Sequence, residues 1–220
     1  MGYTHYWSQE RDISRKDWAQ ITVDIRAILA YARHDCGIAL AGGMGEDGTS
    51  PIVDDERISF NGLGDDSHET FHIVRKINRV PDYAGQTIGW DFCKTAHKPY
   101  DDVVVACLCY LTTVTRKEDP VSHESIIGTE AWNATSDGRA DDFLVGLDLA
   151  RKALPRVANQ LDIPMSILKD GRWCAPWINI SGGGGGCTRN PNFEVHFCVD
   201  GHGYVLRPRT GESYQFETHM

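Results

Sequence analysis

Long apolar runs, paired cysteine motifs and an excess of basic charge are all missing from this 220-residue sequence. The longest apolar stretch, Val103 to Leu111, is interrupted by Cys107, Cys109 and Tyr110, whereas a membrane-spanning helix needs about 20 apolar residues. No bilayer-crossing segment is expected. Met1 to Gln9 lacks the basic start and the apolar run of roughly 7–15 residues that mark a signal peptide, so a cytoplasmic chain is expected. The cysteines, Cys36, Cys93, Cys107, Cys109, Cys174, Cys187 and Cys198, are odd in number and scattered, and they read as free thiols of a reducing compartment. Asp and Glu number 31 against 22 Lys and Arg, and the resulting charge of −9 repels phosphate backbones and excludes general nucleic-acid coating. There is no Walker A loop, no G-x-S-x-G elbow and no CxxC pair of pairs, so no cofactor is expected.

What is present fits a globular chain, with 41% apolar and 24% charged residues. Tyr3 to Trp7 alternates and predicts a first strand. Ser14-Arg15-Lys16-Asp17 resembles a capping box with Asp in the last place, and Trp18, Ile21, Ile25, Ile28, Leu29 and Ala32 follow at helical spacing until Gly37. Ile38 to Ala41 reads as a short buried strand. Ile52 to Phe60 and Glu69 to Ile77 read as an antiparallel pair across the turn-rich Asn61 to Asp66, and Gln86 to Cys93 as a further strand. Pro99 suits the first position of a helix to about Val114 that is apolar nearly all round and therefore central. Ser122 to Ala131 is a candidate strand, and Phe143, Leu144, Leu147, Ala150 and Leu154 trace another helical face.

This order predicts an α+β fold, a largely antiparallel sheet with about three helices packed on it, followed by a C-terminal β-meander. The expected organisation is a main domain over residues 1–162, an irregular Pro/Trp/Gly-rich connection over 163–190 with a linker at Gly182 to Gly186, and a meander over 191–220. The meander strands are Phe193 to Val199, Tyr204 to Arg207 and Tyr214 to Glu217. About 30 residues cannot support a core, so the meander should dock on the main domain or on a partner.

His68-Glu69-Thr70-Phe71-His72 is a literal H-E-x-x-H, the zinc-peptidase string. Gly62, Gly64, Asp65 and Asp66 precede it, so it sits badly in a helix; in a strand its histidines lie about 13 Å apart, too far for one metal. No metal site is expected. Gly43-Met44-Gly45-Glu46-Asp47-Gly48 matches the dinucleotide fingerprint, but Pro51 and Ile52-Val53 stand where the helix should begin, so a plain glycine turn is expected. Cys93-Lys94, near Lys98 and ahead of a helix, is placed where positive surroundings lower a thiol pKa, although a packed, inert cysteine is the commoner outcome. Polar residues gather at element ends: His5, Asn61, Asp65, His68, Glu69, Lys94, Lys98, Tyr100 and Asp101. Caps and surface ion pairs would look the same.

Met1 to Trp7 (MGYTHYW), Phe60-Asn61-Gly62, Asp65 to Phe71 (DDSHETF), Phe92 to Asp101 (FCKTAHKPYD) and Ser136-Asp137-Gly138 resemble a family of uncharacterised proteins from phages and bacteria. The resemblance covers roughly residues 1–150. It implies a phage or bacterial origin, and hence a bacterial cytoplasm, and it carries no catalytic residue. The family pattern leaves out His72.

Two functions are expected from these residues. The first is a pocket that binds or processes a small polar compound, phosphorylated ones included, with His5, His68 and Glu69 as acid, base or orienting groups and Asn61, Asp65, Cys93, Lys94 and Lys98 as ligand-binding groups. The second is non-enzymatic: a protein-interaction role as a virion component or an inhibitor of a host factor, motivated by the acidic surface, the aromatics around Trp173 and Trp177, and a tethered meander suited to strand addition.

Overall fold

The computed structural model describes residues 3–77, 89–115, 131–164 and 166–167, together with the backbone of 178–179, 185–190, 193–198 and 204–208. The predicted strand over Ser122 to Ala131 and the last meander strand lie outside these residues, apart from Ala131 itself. The fold class is α+β, with antiparallel sheets and, among the described residues, three α-helices. None of these helices is long and apolar enough to cross a membrane.

Helix α1 (Arg15–His34) begins where Ser14 holds an extended conformation and its Oγ accepts from the Asp17 N–H at 3.1 Å. Trp18, Ile21, Ile25, Ile28, Leu29 and Ala32 form its buried stripe, as their spacing requires. Gly37, at φ +69°, lets the chain reverse so that the Ile38 N–H reaches the Ala32 carbonyl.

Helix α2 (Asp101–Val114) starts two residues later than Pro99 suggests, with Tyr100 at the cap. Every residue from Val103 to Leu111 is buried, so this helix is the centre of the core. It packs on α1 and on α3 (Leu144–Ala153), which a 3-10 turn, Ala140–Phe143, precedes. A Cβ on Gly146 would stand 2.5 Å from Val105 Cγ1 and 2.6 Å from the Asp102 carbonyl, so α3 approaches α2 as closely as it does only because that position is glycine. A buried carboxylate ties the helices together: Asp24 of α1 accepts from Tyr110 of α2 at 2.5 Å, from Gln20 at 3.2 Å, and from Arg156 beyond α3.

Strands β1 (Thr4–Gln9), β6 (Gly89–Lys94) and β7 (Trp132–Ser136) form an antiparallel sheet in the order β6-β1-β7, with His5 opposite Cys93 and Ser136, and Tyr6 opposite Phe92 and Thr135. From His5 onward β1 alternates: His5, Trp7 and Gln9 are buried, whereas Tyr6 and Ser8 are partly exposed; Thr4, on the face of Tyr6, is buried at the strand's start. The second sheet is built around β4 (Arg57–Gly62), which pairs with β2 (Leu40–Ala41), β3 (Ile52–Val53) and β5 (Phe71–Val74). The single strand predicted from Ile52 to Phe60 is a hairpin instead. Asp54 breaks it by accepting from the N–H groups of Glu56 and Arg57 at 2.9 and 2.8 Å, the local competition that makes Asp a turn residue. Trp7, Phe71 and Phe60 join the two sheets, with successive ring centroids 5.0 Å apart.

At the C-terminal end, β8 (Ile178–Asn179), β9 (Gly185–Asn190), β10 (Phe193–Cys198) and β11 (Tyr204–Pro208) form an antiparallel sheet in the order β11-β10-β9-β8. The predicted strands at 193–199 and 204–207 are β10 and β11. Gly185 and Gly186, expected in a linker, belong to β9 and pair with Cys198 and Phe197. Backbone pairing needs no side chain, which is why composition misreads them.

The central position of α2 sets the first prediction. Leu108, fully buried on that helix, should cost about 2–5 kcal/mol when replaced by alanine, through lost transfer energy and the cavity left behind. Urea unfolding of Leu108→Ala measures it.

Candidate functional site

The H-E-x-x-H residues are not helical. His68 lies exposed in the loop after the 3-10 turn Gly64–Asp66, and His72 is on β5 opposite Ser59. Fully buried Asn61 fixes the loop by accepting from the His68 N–H and donating to the His68 carbonyl, both at 3.1 Å. Glu69 is tied to the end of β6: its N–H donates to the Lys94 carbonyl at 3.1 Å, and its Oε2 accepts from the Lys94 N–H at 2.7 Å. The Glu69 carbonyl in turn accepts from the Tyr100 hydroxyl at 2.7 Å and the Cys93 thiol at 3.2 Å. Lys98 Nζ donates to the Asp65 carbonyl at 2.7 Å. Among the described residues no group of three or more His, Cys, Asp or Glu is arranged to hold a metal ion.

The glycine-rich string is a turn with φ of +51°, +91° and +77° at Gly43, Gly45 and Gly48. Its Met44 N–H donates to the Glu46 carboxylate at 2.8 Å, so an acid of the loop's own occupies the amide a phosphate would seek. Gly45 lies against the loop that carries His68: a Cβ there would stand 2.3 Å from Ser67 Cβ.

His5 sits on the inner side of the β6-β1-β7 sheet, 0% exposed. Its Nε2 lies 2.7 Å from Asp101 Oδ1, and the Thr95 hydroxyl donates to the same oxygen at 2.5 Å. Asp101 is the first residue of α2, where unpaired N–H groups favour a negative charge. His5 Nδ1 and the Tyr3 hydroxyl are buried without a protein partner. Tyr3 meets His5 edge-on at 5.0 Å and stacks on His97 at 3.7 Å. Burial, followed by the carboxylates of Asp101 and Asp142, pushes the Tyr3 hydroxyl well above the ordinary tyrosine range. Ala96 and His97 hold φ of +52° and +56°, a left-handed pair with no glycine to relieve it.

Cys93 is buried near the end of β6. Its thiol is pushed up to about 12, chiefly by burial and further by the carboxylates of Glu69, Asp101 and Asp91, while the contact with Tyr100 pulls it down. The neighbouring lysine does not make it a thiolate. His5, Cys93, Lys94, Glu69 and Asn61 therefore occupy one region, with Lys98 and Asp65 at its rim, but their polar atoms are used largely on one another's backbone. His5 faces inward, whereas the Glu69 carboxylate caps the edge of β6 that turns away from β1.

The outer side of the same sheet carries residues that the motif reading passed over. Tyr6, Trp90 and Phe92 stand together, with centroids 6.2 Å apart for Tyr6 and Trp90, 6.4 Å for Tyr6 and Phe92 and 5.4 Å for Trp90 and Phe92. Trp90 is 58% exposed and Phe92 39%. The signal was available: aromatics two apart on a strand, out of phase with its buried residues. Tyr6 donates to Asp137 at 3.2 Å, and Ser8 donates to Glu10 at 2.7 Å. The free edge of β6 is blunted, since Asp91 takes the Phe92 N–H at 2.8 Å and Glu69 takes that of Lys94.

Comparison with protein-family models, with curated proteins and with solved structures finds no match for this chain.

Asp91 yields a pH prediction. Its carboxyl is raised above the usual range, first by burial and then by the Glu69 charge, against the pull of the Phe92 N–H and His72. A raised acid binds its proton more tightly in the folded state, so its contribution to stability is full below the unfolded pKa and is lost as pH rises through the folded one. Asp91→Asn should therefore melt above the parent at pH 7, with the difference vanishing on acidification below the carboxylate range. Tm against pH for the two proteins checks this.

Proposed function

We propose that this chain is a binding protein whose contact surface is the outer aromatic face of β1 and β6, a non-enzymatic interaction role. The observation that carries it is the exposure of Trp90 beside Phe92 and Tyr6 on a regular three-stranded sheet. Aromatic side chains are enriched at the centres of interfaces, where a single one can contribute much of the binding energy. The blunted edge of β6 favours contact through the face over strand addition there. Cys93, Cys107 and Cys109, unpaired in the interior, support a cytoplasmic setting.

The test is affinity capture from the native cells with the parent and with Trp90→Ala/Phe92→Ala, followed by binding measurements between the purified chain and the partner identified. The double variant should keep the parental Tm and lose about 2 kcal/mol or more, roughly thirtyfold in Kd. Equal affinity of parent and variant for every purified partner overturns the reading.

One observation favours a second reading, a small polar ligand, phosphorylated ones included. With Nε2 held by Asp101, His5 keeps Nδ1 as a buried polar atom without a protein partner, edge-on to the Tyr3 ring that stacks on His97 of the left-handed turn. On this reading the His5 ring resonances shift when inorganic phosphate or glucose 6-phosphate is added; resonances that stay fixed remove it.

A further inference from the structure

We infer that the occupant of the aromatic face is a basic protein segment that lays arginine side chains over Trp90 and Tyr6; this rests on the interaction reading above. The face is a grid. Ser8 stands opposite Trp90 and Asn133, Tyr6 opposite Phe92 and Thr135, and Thr4 opposite Lys94. Its centre is three rings and its flanks are small neutral polar groups.

The charges lie around it, and most are negative. Glu10 is exposed just past one end of β1 and holds the Ser8 hydroxyl. Asp137 is exposed at the other end, where its Oδ1 accepts from Tyr6 and its Oδ2 from the Thr4 N–H. Asp91 belongs to the other face, opposite Trp7, with its carboxylate on the Phe92 N–H at the edge of β6. Lys94 is the opposing charge, at the corner next to Thr4. A ring bordered by carboxylates is the arrangement that suits a guanidinium, which stacks flat on the π-face while its N–H groups reach the acids. An ammonium stacks less well and pairs with one oxygen at a time.

The charge of the whole chain discriminates among occupants. At −9 it repels a second copy of itself, a phosphate backbone and an anionic bilayer, and it steers a basic protein toward the face. An uncharged apolar segment would cover the rings but bring no opposite charge to Glu10 and Asp137 at their border.

The experiment titrates the full chain with four peptides of equal length, rich in arginine, lysine, glutamate or serine, and follows the Trp90 indole N–H resonance, assigned by its loss in Trp90→Phe. The arginine peptide should shift this resonance most and bind more tightly than the lysine peptide. Its affinity should fall about tenfold between roughly 50 and 500 mM salt. Trp90→Ala/Phe92→Ala should weaken it about threefold or more, as should Glu10→Gln/Asp137→Asn. Arginine-peptide binding that is indifferent to both double variants would place the peptide elsewhere on the acidic surface and overturn the inference. So would a glutamate or serine peptide that perturbs Trp90 as strongly.

The two readings fail separately. A purified partner that binds through Trp90 with an acidic or uncharged contact surface ends the inference and keeps the interaction role. A partner that binds the parent and Trp90→Ala/Phe92→Ala equally ends both.

Discussion

A helix without a polar side can persist in water only if it is wrapped, and the rest of this structure follows from wrapping α2. From Val103 to Leu111 no side chain reaches solvent appreciably, so α1, α3 and β7 must each cover part of its circumference. The covering is tight enough on the α3 side to exclude any Cβ at Gly146. Polar groups are confined to its two ends, where each has to find a partner inside the protein. At the N-terminus Tyr100 reaches the Glu69 carbonyl and Asp101 reaches His5 and Thr95; toward the C-terminus Tyr110 reaches Asp24.

Seen from α2, the cluster of His, Glu, Cys and Lys around its first turn has a structural meaning before any chemical one. Asn61, Glu69 and Lys98 spend their side chains on backbone groups, which stitches the loop carrying His68 to the end of β6. The same stitching occupies the edge of β6 and leaves the sheet one accessible side rich in aromatics. The proposed interaction role thus depends on the core indirectly: the inner face of the sheet is committed to packing, and the outer face keeps Trp90 and Phe92 exposed.

Much of the architecture was legible in the residues. Ser14, the apolar spacing of α1 and Gly37 mark a helix almost to its ends, and the all-round apolarity of α2 announces a central helix. The departures have local causes. The Asp54 side chain competes for backbone N–H groups and splits one expected strand into two, and Gly185 and Gly186 enter a strand that needs only their backbone. The candidate site was legible as a set of residues but not as a set of roles. His5, Glu69, Cys93 and Lys94 do lie in one region, yet no local pattern could say that Glu69 would bond the Lys94 amide or that burial would push the Cys93 thiol up.

By itself the sequence determined the class of fold, the helix that must be central and the sign of the surface, because periodicity, apolarity and charge are properties of neighbouring residues. Which polar side chains are consumed as internal partners and which aromatics are left outside was decided only by the tertiary structure. Strand register sets Tyr6 against Phe92 and His5 against Cys93, and a shift of one residue would exchange the two faces.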